Sequence, residues 1–141
     1  MGVLYDNIKK YKKSIQYYEK FLQVCKSISD NHGEALAYNC IGVDYQLMGE
    51  KNSTLIPKAI ESHSLHEQLA DVNGKFLASI NLGLCYDRIL DNKNSIYWFQ
   101  NALKYSVQMS NLNGQSLAIG NIGRIGTKSI SENKDKMKIF V

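Results

Sequence analysis

Proline is nearly missing from this chain of 141 residues, with a single copy at Pro57. Its scarcity removes the usual helix breaker and leaves long uninterrupted helices easy to build. Ten glycines are too few for the many turns of a β-sandwich, so the composition points to an all-α fold. Cysteine is sparse and odd in number: Cys25, Cys40 and Cys85 form no C-x-x-C pair. That count argues against a closed disulfide framework and for a reducing, cytoplasmic setting. No apolar run approaches the ~18 residues needed to cross a bilayer, which excludes a membrane span. The opening Met1-Gly2-Val3-Leu4-Tyr5-Asp6 lacks the basic flank and apolar core of a signal peptide. Charge of one sign is also lacking. The formal net charge of +4, from 17 basic and 13 acidic residues, is too modest and dispersed for a nucleic-acid footprint.

Catalytic signatures are absent as well. Phosphate loops, nucleophile elbows and zinc-ligand spacings do not occur in the required context, so no enzyme activity, cofactor or metal is expected. His63, His66 and Glu67 share roughly one helical face, but a third ligand is missing and the order is wrong for known zinc helices. Cys40 and Cys85 read as small buried hydrophobes. Trp98, with Tyr97 and Phe99, reads as core packing at helical spacing.

What the chain does contain is a repeat. Gly33-Glu34-Ala35-Leu36-Ala37-Tyr38-Asn39-Cys40-Ile41-Gly42 returns as Gly74-Lys75-Phe76-Leu77-Ala78-Ser79-Ile80-Asn81-Leu82-Gly83. It returns again as Gly114-Gln115-Ser116-Leu117-Ala118-Ile119-Gly120-Asn121-Ile122-Gly123. Stepping back one period from Gly42 reaches Gly2, which places the start of the chain inside one unit and its end inside another. A period of about 40 residues is the mark of a repeat architecture.

Between these blocks lie second amphipathic segments at Ser14 to Ser29, roughly Thr54 to Ala70, and Ser95 to Ser110. In the first and last of them, apolar residues recur at i, i+3, i+4, i+7 and i+8, the pattern of a helix burying one stripe. The stops are rich in Asn, Asp and Gly. Asn and Asp are expected to cap the following helix, and glycine to take the left-handed exit. A glycine inside a helix costs about 1 kcal/mol relative to alanine. Its return at Gly2, Gly42, Gly83 and Gly123 therefore predicts positions where a second helix packs close. Tyr5, Tyr45 and Tyr86 follow three residues later, and Gly126 replaces the aromatic in the fourth unit.

These residues resemble the tetratricopeptide repeat family. The resemblance rests on the apolar-Gly pair followed by Tyr, and on a small residue and Ile opening the second helix at Ser14-Ile15, Ala59-Ile60 and Ser95-Ile96. An aromatic follows four residues into that helix at Tyr18 and Phe99, where the second unit has His63. The unit length is most similar to the longer-repeat branch that includes cell-polarity adaptors and ciliary or axonemal proteins. The resemblance implies a right-handed α-solenoid of antiparallel helix pairs over residues 1–129. Its units would be 1–31 (partial), 32–72, 73–112 and 113–129 (partial), followed by a frayed tail at 130–141. Pro57 is expected in the first turn of the second unit's second helix, with extra residues before Ala59.

In such a solenoid the first helix of each pair lines a concave surface. Projecting the repeat selects Asn39, Val43 and Gln46, then Ile80, Asn81, Leu84 and Arg88, then Asn121, Arg124 and Lys128. This mixture suits an extended or helical peptide of a protein partner. Open apolar stripes at Met1-Val3-Leu4-Tyr5 and Ile119-Ile122-Ile125 would cost up to ~10 kcal/mol if uncovered, so neighbouring subunits are expected on the ends. The implied function is a non-enzymatic scaffold in a multiprotein assembly, possible sites being cytoplasm and cilium. The alternatives are a nucleic-acid-binding helical repeat and a regulatory module of an enzyme.

Overall fold

The computed structural model describes the backbone of residues 2–139 and the side chains of residues 7–128. Six α-helices follow one another: α1 (Gly2–Ser27), α2 (Asn31–Gly49), α3 (Ile56–Leu69), α4 (Val72–Arg88), α5 (Asn92–Gln108) and α6 (Leu112–Ile139). One turn of 3₁₀ helix at Ser53–Leu55 precedes α3, and no strand occurs among the described residues. No described helix is long and apolar enough to cross a membrane.

Helix starts are set by one device used repeatedly. Asp30, Asp71 and Asn111 each accept the backbone N–H of a glycine three residues on, Gly33, Gly74 and Gly114, at 2.9, 3.0 and 3.0 Å. Asp91 caps α5 through Asn94 in the same way. Such caps satisfy N–H groups that the helix itself leaves unpaired. The glycines do not take the left-handed exits expected of them. Ser29, Leu90 and Ser110 do, at φ of 58°, 64° and 53°. Gly33 is needed inside the first turn instead, because a β-carbon there would meet the Asp30 carboxylate and the Cys25 sulfur at 2.6 and 2.7 Å.

Each helix packs on its sequence neighbours, and the short connections make neighbours antiparallel. In α2 and α3, Gly49 lies beside Ile56 and Gly42 beside His63, so position falls in one helix as it rises in the next. Further ties skip one helix. Arg88 on α4 donates to the Glu50 carbonyl at the end of α2 (2.6 Å), and Arg124 on α6 pairs with Asp87 on α4 (3.0 Å). Tyr105 on α5 donates to the Glu67 carboxylate on α3 (3.1 Å).

The repeat is visible in burial. Ala37, Ala78 and Ala118, at one phase of α2, α4 and α6, are all fully buried. Three clusters form the core: Ile15, Leu22, Ala37, Ile41 and Met48 between α1 and α2; Ile56, Ala59 and Cys85 between α3 and α4; and Ile80, Phe99, Ala102, Ala118 and Ile125 among α4, α5 and α6. Pro57 sits in the first turn of α3, as its missing N–H allows. The extra residues of the second unit are taken up in the connection and 3₁₀ turn ahead of it.

The structure departs from the sequence expectation of the fold in four further places. The first unit is not a helix pair: α1 is one helix of 26 residues. Its lysine-rich stretch at 9–13 holds no glycine or proline to interrupt it, and lysine is a good helix former. Nor does helix end before the expected tail, since α6 continues to Ile139 through a stretch that has no breaker after Gly126. Ile125 is not part of an open stripe but fully buried against α5, while Ile119 is exposed. Of the three consecutive aromatics, Phe99 is core, but Tyr97 is exposed and meets Trp98 edge-on at 5.3 Å. The stripe expected at Met1, Val3, Leu4 and Tyr5 lies outside the described side chains.

Candidate functional site

Helices α2, α4 and α6 carry all ten residues selected from the sequence, and the structure treats them unequally. Ile80 is withdrawn as a contact residue: it is 7% exposed and packs with Phe99 in the core, because its phase on α4 faces the next helix pair. Gln46 accepts from His63 Nε2 at 3.0 Å. Arg88 and Arg124 are exposed but spend their guanidinium groups on internal ties, Arg88 to Glu50 and Arg124 to Asp87 and the Asn121 side chain. Asn121 also donates to the Leu117 carbonyl. Val43 and Asn81 are half-buried, and Leu84 and Lys128 are exposed. Leu84 and Arg88 line an open cavity of about 220 Å³ with Gln46 and Ile56.

Sequence reasoning missed a more regular feature. Leu36, Leu77 and Leu117, at the same phase of α2, α4 and α6, are 49%, 43% and 49% exposed. Each stands immediately before a fully buried alanine, so the Leu-Ala pair turns one side chain out and the next one in. The signal was present in the repeat blocks, where leucine is identical in all three. Periodicity alone assigns an apolar residue to the core. Only the packing shows that this stripe is spare.

Two of these leucines share a cavity of about 390 Å³, within the range of roughly 300–1,000 Å³ typical of ligand sites. Leu69 from the end of α3 joins them, and His32, Asn39, His66 and Asp71 are the polar side chains of its lining. The imidazole of His66 is 6% exposed, and its Nδ1 has no hydrogen-bond partner; the buried Asn39 Oδ1 has none either. Leaving such groups unsatisfied costs about 1–3 kcal/mol each. Burial pushes the His66 pKa down, only partly opposed by Asp71 and Glu67. Burial thus favours the neutral form of this ring.

His63, one turn earlier on α3, faces elsewhere. Its ring lies over Gly42, and burial holds its pKa down to about 4, assisted by His66. The two histidines thus serve different neighbours, and no group of three potential metal ligands occurs among the described residues. Cys85 is fully buried, and desolvation pushes its thiol up to about 12, so it is not poised as a nucleophile. No protein-family model matches this sequence, and no curated protein does.

Proposed function

We propose that the chain is a non-enzymatic protein-interaction module of the tetratricopeptide type. In this reading the helix pairs form a right-handed solenoid, and α2, α4 and α6 line a concave face that holds an extended or helical peptide of a partner. The recurrent half-exposed leucine at Leu36, Leu77 and Leu117 carries the reading. Leaving a leucine half-exposed forgoes roughly half of the ~1.5–3 kcal/mol that its full burial would bring. A single instance on a surface is ordinary, but three at one phase of successive helices form a ladder suited to a partner's apolar side chains. The resemblance in sequence is supported by the repeated caps, the repeated buried alanine and the ring-on-glycine contacts at Gly42 and Gly83. In this reading the module would serve in a multiprotein assembly, of which cytoplasmic and ciliary or axonemal complexes are the examples the resemblance offers.

The test is a variant carrying Leu36→Ala, Leu77→Ala and Leu117→Ala, compared with the unmodified chain by crosslinking mass spectrometry in native extract. Unchanged helical circular dichroism together with a loss of at least about tenfold in crosslinked partner is the expected result, tenfold corresponding to 1.4 kcal/mol. Undiminished recovery would refute the groove. Salt-sensitive retention on single-stranded RNA that ignores the triple change would instead favour the nucleic-acid alternative.

A further inference from the structure

Helices α2 to α5 each pack on two neighbours, whereas among the described residues α1 packs on α2 and α6 on α5, each with its far side open. The two open sides differ in kind. On α6, Leu112, Ser116, Ile119, Gly120, Gly123 and Thr127 share one side at helical spacing, all exposed and none charged. A β-carbon at Gly120 or Gly123 would meet nothing within 4 Å. On α1 the open side carries rings and a branched chain: Tyr17 and Val24 are exposed, and Tyr18 and Phe21 are half-buried. Phe99, at the phase of Tyr18, is fully buried with α4 on one side and α6 on the other. Tyr18 packs on the α1–α2 cluster alone and stays half-buried.

The contact between α4 and α5 shows how such sides fit. There Gly83 receives the Phe99 ring, and Ile80 and Ala102 are buried in the same cluster. Between antiparallel helices, a step forward on one faces a step back on the other. That count holds between α2 and α3, where Gly42 meets His63 and Gly49 meets Ile56. By the sequence period Gly123 stands where Gly83 does, and Tyr18 where Phe99 does. The α4–α5 register carried onto α6 and α1 sets Tyr18 on Gly123 and Phe21 on Gly120. A large residue on α4 against a small one on α5, Ile80 and Ala102, becomes a small one on α6 against a large one on α1. Exchanging which side carries the bulk conserves the volume between the helices. The same register brings Ser27, the last residue of α1, to Gly114, and Gly2, its first, to Ile139, the last of α6, so the two helices match along the whole of α1.

Within one chain α1 and α6 do not pack together. Nor can Tyr18 use Gly2, its partner by the period, because the two lie about 24 Å apart along one continuous helix. We propose that a second copy of this chain covers the open side of α6 with its own α1, head to tail, Tyr18 and Phe21 seated on Gly123 and Gly120. The contact repeats between copies the one that α4 and α5 make within a copy, and it is independent of what the leucine face holds. It joins two different surfaces, so every pair keeps one free end of each kind and growth continues past two copies. A contact about 39 Å long and ~10 Å wide covers about 400 Å² on each copy. That is at the weak end of specific interfaces.

The test is sedimentation equilibrium of the full chain over about 5 to about 500 μM, with a midpoint expected near ~100 μM for a contact of that size. The average mass should rise past that of two copies. Gly120→Gln with Gly123→Gln places side chains in space that is open in the single chain. In dilute protein the urea midpoint should be unchanged or raised, since glycine is the poorer helix former, while association weakens at least about tenfold. Tyr17→Lys with Val24→Lys changes two exposed side chains and should block the other end to a similar extent without unfolding the chain. An equimolar mixture of the two variants retains one intact end of each kind, so it should form pairs and grow no further. A parent chain that stays monomeric throughout would overturn the proposal and assign the open side of α6 to a helix of a different protein. Association that survives either pair of substitutions would overturn it, as would variants that fail to pair when mixed or a parent that stops at two copies.

Discussion

The Phe99 ring lies across the α-carbon of Gly83, so close that a β-carbon on Gly83 would stand 2.7 to 2.8 Å from three of its ring atoms. His63 occupies the same place over Gly42, with its ring atoms 2.7 to 2.9 Å from the corresponding point. Imidazole and phenyl are interchangeable here because the requirement is a flat ring on a bare backbone. Gly123, at the same phase of α6, has nothing within 4 Å, since no helix follows α6 among the described residues.

Alanine at these matched glycines should therefore act with opposite sign. Gly83→Ala forces a fully buried ring to move and is expected to cost about 1–3 kcal/mol. Gly123→Ala meets open space and should gain about 0.5–1 kcal/mol from improved helix propensity. Urea unfolding of both variants decides it. A loss at position 123 as large as that at 83 would mean that α6 is packed there in solution.

Acid should weaken the fold through its buried histidines. Burial keeps the His63 pKa at about 4, below the ~6.5 of an exposed imidazole, so the unfolded chain takes up the proton first as pH falls. Stability from the neutral ring is complete above about pH 6.5 and drains away toward pH 4, a loss of about 3 kcal/mol. His66, also lowered by burial, acts in the same direction. His63→Phe, which copies the Phe99 arrangement, should remove most of this slope between about pH 7 and pH 4.5. A variant whose stability falls as steeply as the parent's would reject the assignment.

Leu90 combines a left-handed backbone, φ 64°, with a side chain that is 71% exposed. The conformation is strained by about 1–2 kcal/mol for a residue with a branched side chain, and no burial offsets it. Leu90→Asn is expected to raise stability by up to ~1 kcal/mol, seen as a higher melting temperature. An unchanged or lowered melting temperature would show that Leu90 makes contacts in solution that compensate for its backbone.

The three thiols should react in a fixed order. Cys40 is half-buried, whereas Cys25 and Cys85 are 2% and 1% exposed, and burial raises the Cys85 pKa to about 12. Alkylation of the native chain near pH 8 should label Cys40 first, leaving the other two protected until unfolding, because only an accessible thiolate reacts at about that pH. Mass spectrometry of the labelled peptides reads this directly, and early modification of Cys85 would contradict its placement.

Local rules made much of this legible before any coordinates. The caps at Asp30, Asp71 and Asn111, the place of Pro57 and the close approaches at Gly42 and Gly83 all follow from residue types whose physical roles are narrow. The errors came where the residues permit more than one outcome. Lysines at 9–13 neither require nor forbid a turn, so only the chain itself shows that α1 runs on. The candidate face was harder still. Ile80 and Leu77 are both apolar and three residues apart on α4, yet one is core and the other is half-exposed.

From its residues alone, then, the chain is committed to helices, to the capped starts of α2, α4, α5 and α6, and to spots at Gly42 and Gly83 that must stay bare. These depend on neighbours within a few positions or on a period that repeats in the text. Which face of each helix is left over after packing, where Arg124 finds Asp87, and that Leu36 and Leu77 meet around His66 were decided only in three dimensions. Those outcomes depend on residues 37 to 41 positions apart coming together, a distance at which side-chain type carries no information about its partner.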